Sequence, residues 1–211
     1  MLKFKDIKTS CYNEAWDFQK SMQSDRIKKK IGDTVFFVEH EPVYTIGKNA
    51  NNNHLLQNYP EDVKIFYIER GGDITFHGPG QLVGYPILDL HNYKMSINWY
   101  MRSLETVIIN TLSKFEIFSN RKEGLTGVWV DDEKIAALGV RISRWVTMHG
   151  LAININTDLR YYDSIIPCGI FEYGITSMKN ILGYSIDMCL VKEELIKQFK
   201  LIFYNQFKVV S

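Results

Sequence analysis

Arg70-Gly71-Gly72-Asp73-Ile74-Thr75-Phe76-His77-Gly78-Pro79-Gly80-Gln81 gathers four glycines, a proline, a guanidinium and an imidazole into twelve residues, directly behind the strand-like run Val63 to Ile68. Glycines accept φ > 0 and let backbone N–H groups approach a ligand closely. Arg70 and His77 bracket the segment with groups suited to polar recognition or proton transfer. We read this stretch as the wall of a substrate site, built onto a strand-rich scaffold.

Outward from it, strand and helix periods alternate without a long linker or an internal repeat. β-rich segments are expected at Thr34 to Val38, Val43 to Ile46, Val63 to Ile68 and Leu82 to Leu88, separated by Gly, Asn and Pro. Upstream, Ala15, Phe18 and Met22 predict an amphipathic helix from about Cys11, with Ser10 as its N-cap and Glu14 in its first turn. Downstream, Ile97, Tyr100, Met101, Leu104, Val107, Ile108 and Phe115 predict a long helix capped by Ser96 and laid on one sheet face. Gly127 to Val130, Lys134 to Val140 and Gly150 to Asn156 read as strands, the first two joined by the turn Asp131-Asp132-Glu133. A closing helix from about Ser185 carries Met188, Val191, Leu195, Phe199 and Ile202 on its buried face. The pattern predicts an α+β (mixed α/β) fold, a mixed sheet packed against helices, with residues 1–211 as one domain and about 180–211 as a smaller helical part.

Composition narrows the function classes. With 25 Lys+Arg against 24 Asp+Glu, the chain lacks the basic footprint of a nucleic-acid binder, so no nucleic-acid partner is expected. Its opening residues hold no signal-peptide pattern and no run has the length of a membrane span, which predicts a soluble, cytoplasmic protein with no membrane partner. Cys11, Cys168 and Cys189 form no C-x-x-C pair, and the five histidines have no H-E-x-x-H spacing, so neither a disulfide framework nor a metal site is expected.

Two residues carry candidate chemistry. Cys168 sits between Pro167, which fixes φ, and Gly169, which removes bulk, so its sulfur can be held rigidly and approached. A buried, inert thiol in a tight turn is the competing reading, and local sequence leaves both open. A nucleophilic cysteine needs a partner that stabilises its anion. Lys134, opening the apolar segment Lys134-Ile135-Ala136-Ala137-Leu138-Gly139-Val140, is that candidate; a solvent-facing lysine at a hairpin end is the alternative. A unit charge at about 4 Å contributes roughly 4 kcal/mol at an effective dielectric of 20, against about 1.36 kcal/mol per pKa unit. His77 and His149 each adjoin a glycine at a strand edge, which suits an orienting hydrogen bond or, equally, a satisfied structural histidine.

The same stretches resemble a known family. Arg70 to Gln81 is similar to the signature of the lipoyl(octanoyl) transferases. Further blocks follow in family order: Lys134-Ile-Ala-Ala-Leu-Gly139-Val-Arg141, His149-Gly-Leu-Ala-Ile-Asn154, Pro167-Cys-Gly169 and Ile175-Thr176-Ser177-Met178, with His40-Glu-Pro-Val-Tyr-Thr45 upstream. The resemblance spans about Glu39 to Met178, while Phe171-Glu172-Tyr173-Gly174 matches loosely.

It implies a biotin/lipoate protein ligase-like fold and an octanoyltransferase with a Cys/Lys dyad. Cys168 would be the acyl-thioester nucleophile and Lys134 its activating partner. Arg70, Gly71, Gly72, Asp73, Ile74, Thr75, Phe76 and His77 would line the acyl and thioester pocket, together with Ala137, Leu138, Gly139, Gly150, Leu151 and Ala152. The implied donor is octanoyl-acyl carrier protein. The implied acceptors are lipoyl domains of 2-oxoacid dehydrogenases and the glycine cleavage H protein, and no ATP, metal or other cofactor is required. Phe76, Leu82, Val83 and Leu138 could shape an acyl tunnel or simply pack the core. Two rival functions share the scaffold: an ATP-dependent lipoate or biotin protein ligase, which would not need Cys168, and a catalytically silent carrier-binding or lipoyl-domain-binding protein.

Overall fold

A computed structural model describes residues 2–56, 58–61, 63–166 and 173–204, with Asn52 and Tyr204 described by backbone alone. Pro167, Cys168, Gly169 and the three residues after them lie outside the described residues. The elements in chain order are β1 (Lys3–Asp6), α1 (Tyr12–Ile27), β2 (Thr34–Val38), β3 (Val43–Ile46), β4 (Lys64–Tyr67), β5 (Ile74–His77), β6 (Gln81–Ile87) and α2 (Ile97–Ser113). They continue with β7 (Val128–Val130), β8 (Glu133–Ser143), β9 (Val146–Asn154), β10 (Gly174–Ile175), α3 (Met178–Leu182) and α4 (Met188–Tyr204). The large mixed sheet runs β1-β2-β6-β9-β8-β10, with β7 also on β8, and a small sheet runs β4-β3-β5. This is the expected α+β architecture.

Alternation along the central strands decides which helices cover which face. On β2 and β6, Val35, Phe37 and Leu82 join Leu88, just past β6, in the core with Leu104, Val107 and Ile108 of α2 and Val191, Leu195 and Phe199 of α4. The intervening Phe36, Val38, Val83, Tyr85 and Ile87 meet Trp16, Phe18, Met22 and Ile27 on the other side. Helices therefore sandwich the sheet, α2 and α4 on one face and α1 on the other. Ser96 caps α2 as expected, accepting from the Trp99 N–H, while Phe115 falls beyond the helix end. On α4, Phe203 is buried and Ile202 only partly so, and the helix starts at Met188 rather than Ser185.

The stripe that α1 buries differs from the expected Ala15, Phe18 and Met22. It is Tyr12, Ala15, Gln19, Gln23 and Arg26, with Phe18 and Met22 half-buried beside it. The reason lies in the strand beneath: Gln23 Nε2 donates to the Val146 carbonyl at 2.9 Å and Gln19 Oε1 accepts from the His149 amide at 3.0 Å. Backbone groups turned out of a sheet ladder need polar partners when buried, so a helix lying on them buries amides. Arg26 closes the stripe between Asp33 at 2.7 Å and Asp89 at 3.3 Å. Ser10 does not cap α1: Cys11 holds that position without a side-chain bond, and the Ser10 hydroxyl donates to Glu41.

β1, polar and parallel to β2, was not legible as a strand. The β8–β9 hairpin is longer than expected because its turn sits at Arg144 and Trp145, both at φ near +50 to +61. Among the described residues no helix is long and apolar enough to cross a membrane.

Candidate active site

The glycine-rich stretch contains a strand of its own. Ile74–His77 pairs antiparallel with β3, so Ile74, Phe76 and their partners bury one surface while the turn before β5 swings toward β8. The Gly71 N–H donates to the Val140 carbonyl at 3.0 Å, fastening that turn to the large sheet. Arg70 is buried; its Nη2 donates to the carbonyl and hydroxyl of Thr45 at 2.8 and 3.0 Å, and its Nη1 to the Gly71 carbonyl. A Cβ on Gly139 would stand 3.0 Å from Arg70 Cδ and from the Gly71 oxygen, so only glycine admits the guanidinium this close to β8. Asp73 is tied to His54 Nδ1 at 2.5 Å and to the Ile74 N–H at 2.7 Å, which holds the turn in shape.

Between this turn and strands β6, β8 and β9 lies a cavity of about 300 Å³. Arg70, Gly72, Asp73, Ile74, Thr75 and His77 line it from one side, and Lys134, Ala137, Leu138, Gly139, His149, Gly150, Leu151 and Ala152 from the sheet. Fourteen of the site residues expected from sequence thus share one cavity, counting from those two groups. Gly71 and Phe76 do not line it. Phe76 faces the small-sheet core, stacked on Tyr161 at 4.6 Å between ring centroids. Of the expected tunnel residues, Val83 and Leu138 line the cavity, whereas Leu82 packs into the α2 and α4 core. Cys168 lies outside the described residues, and the chain returns at Tyr173, whose ring sits 5.2 Å from that of Trp129.

Lys134 is 5% exposed, with its ammonium 4.7 Å from the centre of the Trp129 ring. It is not the solvent-facing lysine that a hairpin end would allow. Strand β10 runs parallel to it, Ile175 opposite Lys134, and the Thr176 N–H donates to the Lys134 carbonyl at 3.0 Å. The loop before β7 packs on its stem: a Cβ at Gly127, φ +140, would lie 3.1 Å from Lys134 Cε. That loop is anchored from α2 by the buried Glu105, which accepts from Arg121 Nε at 2.8 Å and from the Gly127 N–H at 3.3 Å.

His77 and His149 line the cavity, and His40 lies behind His77 with 6.0 Å between ring centroids. Burial pushes His77 down to about 3, reinforced by His40, Arg70 and His149; it pushes His149 to about 3, with Arg70, Arg141 and Lys20 adding to the effect; and it pushes His40 to about 4. All three are neutral imidazoles. His149 adopts φ +59 in the middle of β9, and its buried Nε2 has no hydrogen-bond partner among the described residues. The β6–β9 ladder runs as far as Gly84 opposite Leu151; beyond it Pro86 has no N–H to give, and its carbonyl accepts from the Thr147 hydroxyl at 2.6 Å.

Sequence reasoning did not foresee Tyr12, Tyr85, Tyr162 or the loop Gly124-Leu125-Thr126 in the lining. Tyr85 was within reach of it: its two-residue spacing from Val83 puts both on one face of β6.

The profile of the lipoyl protein ligase A/B catalytic domain matches residues 11–200. The chain belongs to that family. Within the lipoyl protein ligase A/B family, it is 41% identical to the octanoyltransferase of Cytophaga hutchinsonii over 94% of this chain and 91% of that protein. It is 44% identical to the octanoyltransferase of Christiangramia forsetii over 93% of each. In three dimensions it resembles Ta0514, a putative lipoate protein ligase from T. acidophilum, with a TM-score of 0.76 at 12% identity, covering 96% of this chain and 85% of that one. The last likeness concerns the fold, and it agrees with the lipoate protein ligase-like architecture expected from sequence.

Proposed function

We propose that this chain transfers an octanoyl group from octanoyl-acyl carrier protein to the target lysine of a lipoyl domain, with Cys168 as transient acyl carrier and Lys134 as its proton partner. Octanoyl transfer is the named activity of the relatives above 40% identity. The observation that carries the mechanism is Lys134, a lysine only 5% exposed on the wall of a largely apolar cavity beside glycine backbone. A lysine amine on that wall can stabilise an anion formed in the cavity and exchange a proton with it.

In the first exchange the Cys168 thiolate attacks the thioester carbonyl, the carbon–sulfur bond to the phosphopantetheine arm breaks, and the departing thiolate takes a proton from Lys134. In the second, the neutral amine of the acceptor lysine attacks the acyl-enzyme carbonyl. The bond to the Cys168 sulfur breaks, and the proton lost by nitrogen passes to Lys134, restoring ammonium and thiolate. A thioester and an amine become an amide and a thiol, so the balance calls for neither ATP nor metal. The Gly139 and Gly150 backbone lies on the cavity wall, and N–H groups there or in the glycine-rich turn would stabilise the tetrahedral oxyanion. Each buried CH₂ of the acyl chain adds about 0.8 kcal/mol, so a medium chain gains several kcal/mol against Val83, Leu138 and Leu151.

We take residues 1–211 as one catalytic domain working in the reducing cytoplasm, on lipoyl domains of 2-oxoacid dehydrogenases and the glycine cleavage H protein. The test is intact-mass analysis after mixing with octanoyl-carrier protein. The wild type gains one octanoyl group and Cys168→Ser gains none; modification of a lipoyl domain from free octanoate and ATP alone would support a ligase instead.

A further inference from the structure

Gln81 is almost fully buried at the start of β6, and its side chain links β5 to β9, with Tyr162 Oη a further 3.2 Å partner of its Nε2. Its Nε2 donates to the Phe76 carbonyl at 3.2 Å and to Asn154 Oδ1 at 2.9 Å, and its Oε1 faces His77 Nδ1 at 2.7 Å. Asn154 in turn donates from Nδ2 to the Thr176 carbonyl at 3.1 Å. The direction of this relay is forced at both anchors, because a backbone carbonyl can only accept. Thr176 requires the Asn154 amide nitrogen, which turns Asn154 Oδ1 toward Gln81. Phe76 and Asn154 together require the Gln81 amide nitrogen, which turns its oxygen toward the imidazole. His77 Nδ1 must therefore carry the proton, and its Nε2 bears a lone pair.

The surroundings keep it so. Tyr12 stacks on the ring, with 6.1 Å between centroids and 8° between planes, while His40 lies 6.0 Å away. Arg70 and His149 act on it electrostatically, and with burial they keep the ring neutral. Among the described residues Nε2 has no hydrogen-bond partner, and His77 lines the cavity that also holds Lys134. Arg70 and Lys134 line the same wall as donors, and His77 adds a neutral acceptor whose tautomer is set.

We infer that His77 Nε2 is the fixed hydrogen-bond acceptor for an N–H of the incoming acceptor amine, with Gln81 and Asn154 as positioning residues that lock its tautomer, an inference that rests on the transfer reaction proposed above. The attacking nitrogen must arrive neutral, with its lone pair on the carbonyl carbon. One of its hydrogens then has to point elsewhere, and a lone pair on the wall gives that hydrogen a direction. Arg70, whose charge already acts on the ring, disfavours an ammonium in the same place. His77 keeps no proton in the cycle; the proton released on amide formation goes to Lys134.

The test separates the two exchanges. Acyl-enzyme formation from octanoyl-carrier protein is timed by intact mass, and transfer from preformed acyl-enzyme to a lipoyl domain is timed in a single turnover. For His77→Ala, transfer is expected to slow at least ~30-fold more than acylation, the scale of a misoriented attacking group. In His77→Gln, whose amide oxygen reaches the position of Nε2, part of that deficit returns. In Gln81→Met the histidine remains but loses its lock: ¹⁵N–¹H correlation spectra of the imidazole move from the pure Nδ1–H tautomer toward a mixture, and transfer slows about tenfold. Equal slowing of both exchanges would assign the acceptor to the amide groups of the pantetheine arm and overturn the inference, as would an unchanged tautomer in Gln81→Met with slowed transfer. Failure of the wild type to form any acyl-enzyme would instead overturn the transfer reaction itself.

Discussion

Gln19, on α1, accepts a hydrogen bond from the backbone N–H of His149, on β9, at 3.0 Å and across 130 residues of chain. His149 stands at φ +59, so its amide is turned away from the neighbouring strand and toward the helix. The helix thus supplies the partner that the kinked strand cannot.

From this, Gln19→Leu leaves a buried N–H without an acceptor and is expected to destabilise the protein by about 1–3 kcal/mol. Urea unfolding monitored by tryptophan fluorescence checks the size. Because His149 lines the cavity, the variant should also lose transfer activity per folded molecule, whereas a core change far from β9, such as Val107→Ala, should lower stability alone.

Gly127 leaves the space that the Lys134 stem occupies. A Cβ there would sit 3.1 Å from Cε, on a backbone at φ +140 that an L side chain rarely adopts. In Gly127→Ala the loop or the ammonium must shift, and a displacement of about 1 Å at a reacting group is worth roughly 100-fold in rate. The expected result is a 10- to 100-fold fall in kcat with secondary structure intact by circular dichroism. Retained kcat would mean that Lys134 has freedom which its packing does not suggest.

Much of the fold was legible because its signals are local. The β-rich run Thr34 to Val38, buried on both faces, and the 3- and 4-residue spacing from Ile97 to Ile108 each declare their element directly. What escaped was set by partners distant in sequence. The α1 stripe reads as polar until β9 is placed beneath it, and Lys3–Asp6 becomes a strand only because β2 offers a parallel edge. In the candidate site, glycine density drew attention to a stretch that lines the cavity, but it could not show that Phe76 turns into the small-sheet core while His77, one residue on, faces the cavity. That division follows from β5 pairing with β3, a tertiary fact. The direction of the Gln81 relay was likewise invisible, since it depends on two carbonyls at Phe76 and Thr176.

The three buried histidines make stability depend on pH in a definite direction. His40 is lowered to about 4, and His77 and His149 to about 3, by burial. Between these values and the ordinary 6.5, the unfolded chain binds protons that the folded chain refuses, so stability falls as pH falls through that window. Each group steepens the dependence by up to about 1.4 kcal/mol per pH unit, and above about pH 7 they contribute no slope. Urea midpoints measured from pH 8 to pH 5 should be level at first and then decline. His149→Gln should flatten the decline, whereas an unchanged slope would mean that this imidazole titrates normally in the fold.

Lys134→Ala tests the ammonium itself. Without it, the thiol at position 168 loses the cation proposed to stabilise its anion and should behave as an ordinary cysteine, with a pKa of about 8.5. At pH 7 only a few per cent would be thiolate, so acyl-enzyme formation should be slower by about 10- to 100-fold. The rate should then climb about tenfold per pH unit toward pH 8.5, because each unit multiplies the thiolate fraction by ten. The wild type, with the ammonium in place, should level off at lower pH. Single-turnover acylation followed by mass from pH 6 to pH 9.5 separates the two profiles. A uniform loss at every pH would show that Lys134 serves the thioester rather than the thiolate, since only a change in ionisation moves the profile along the pH axis.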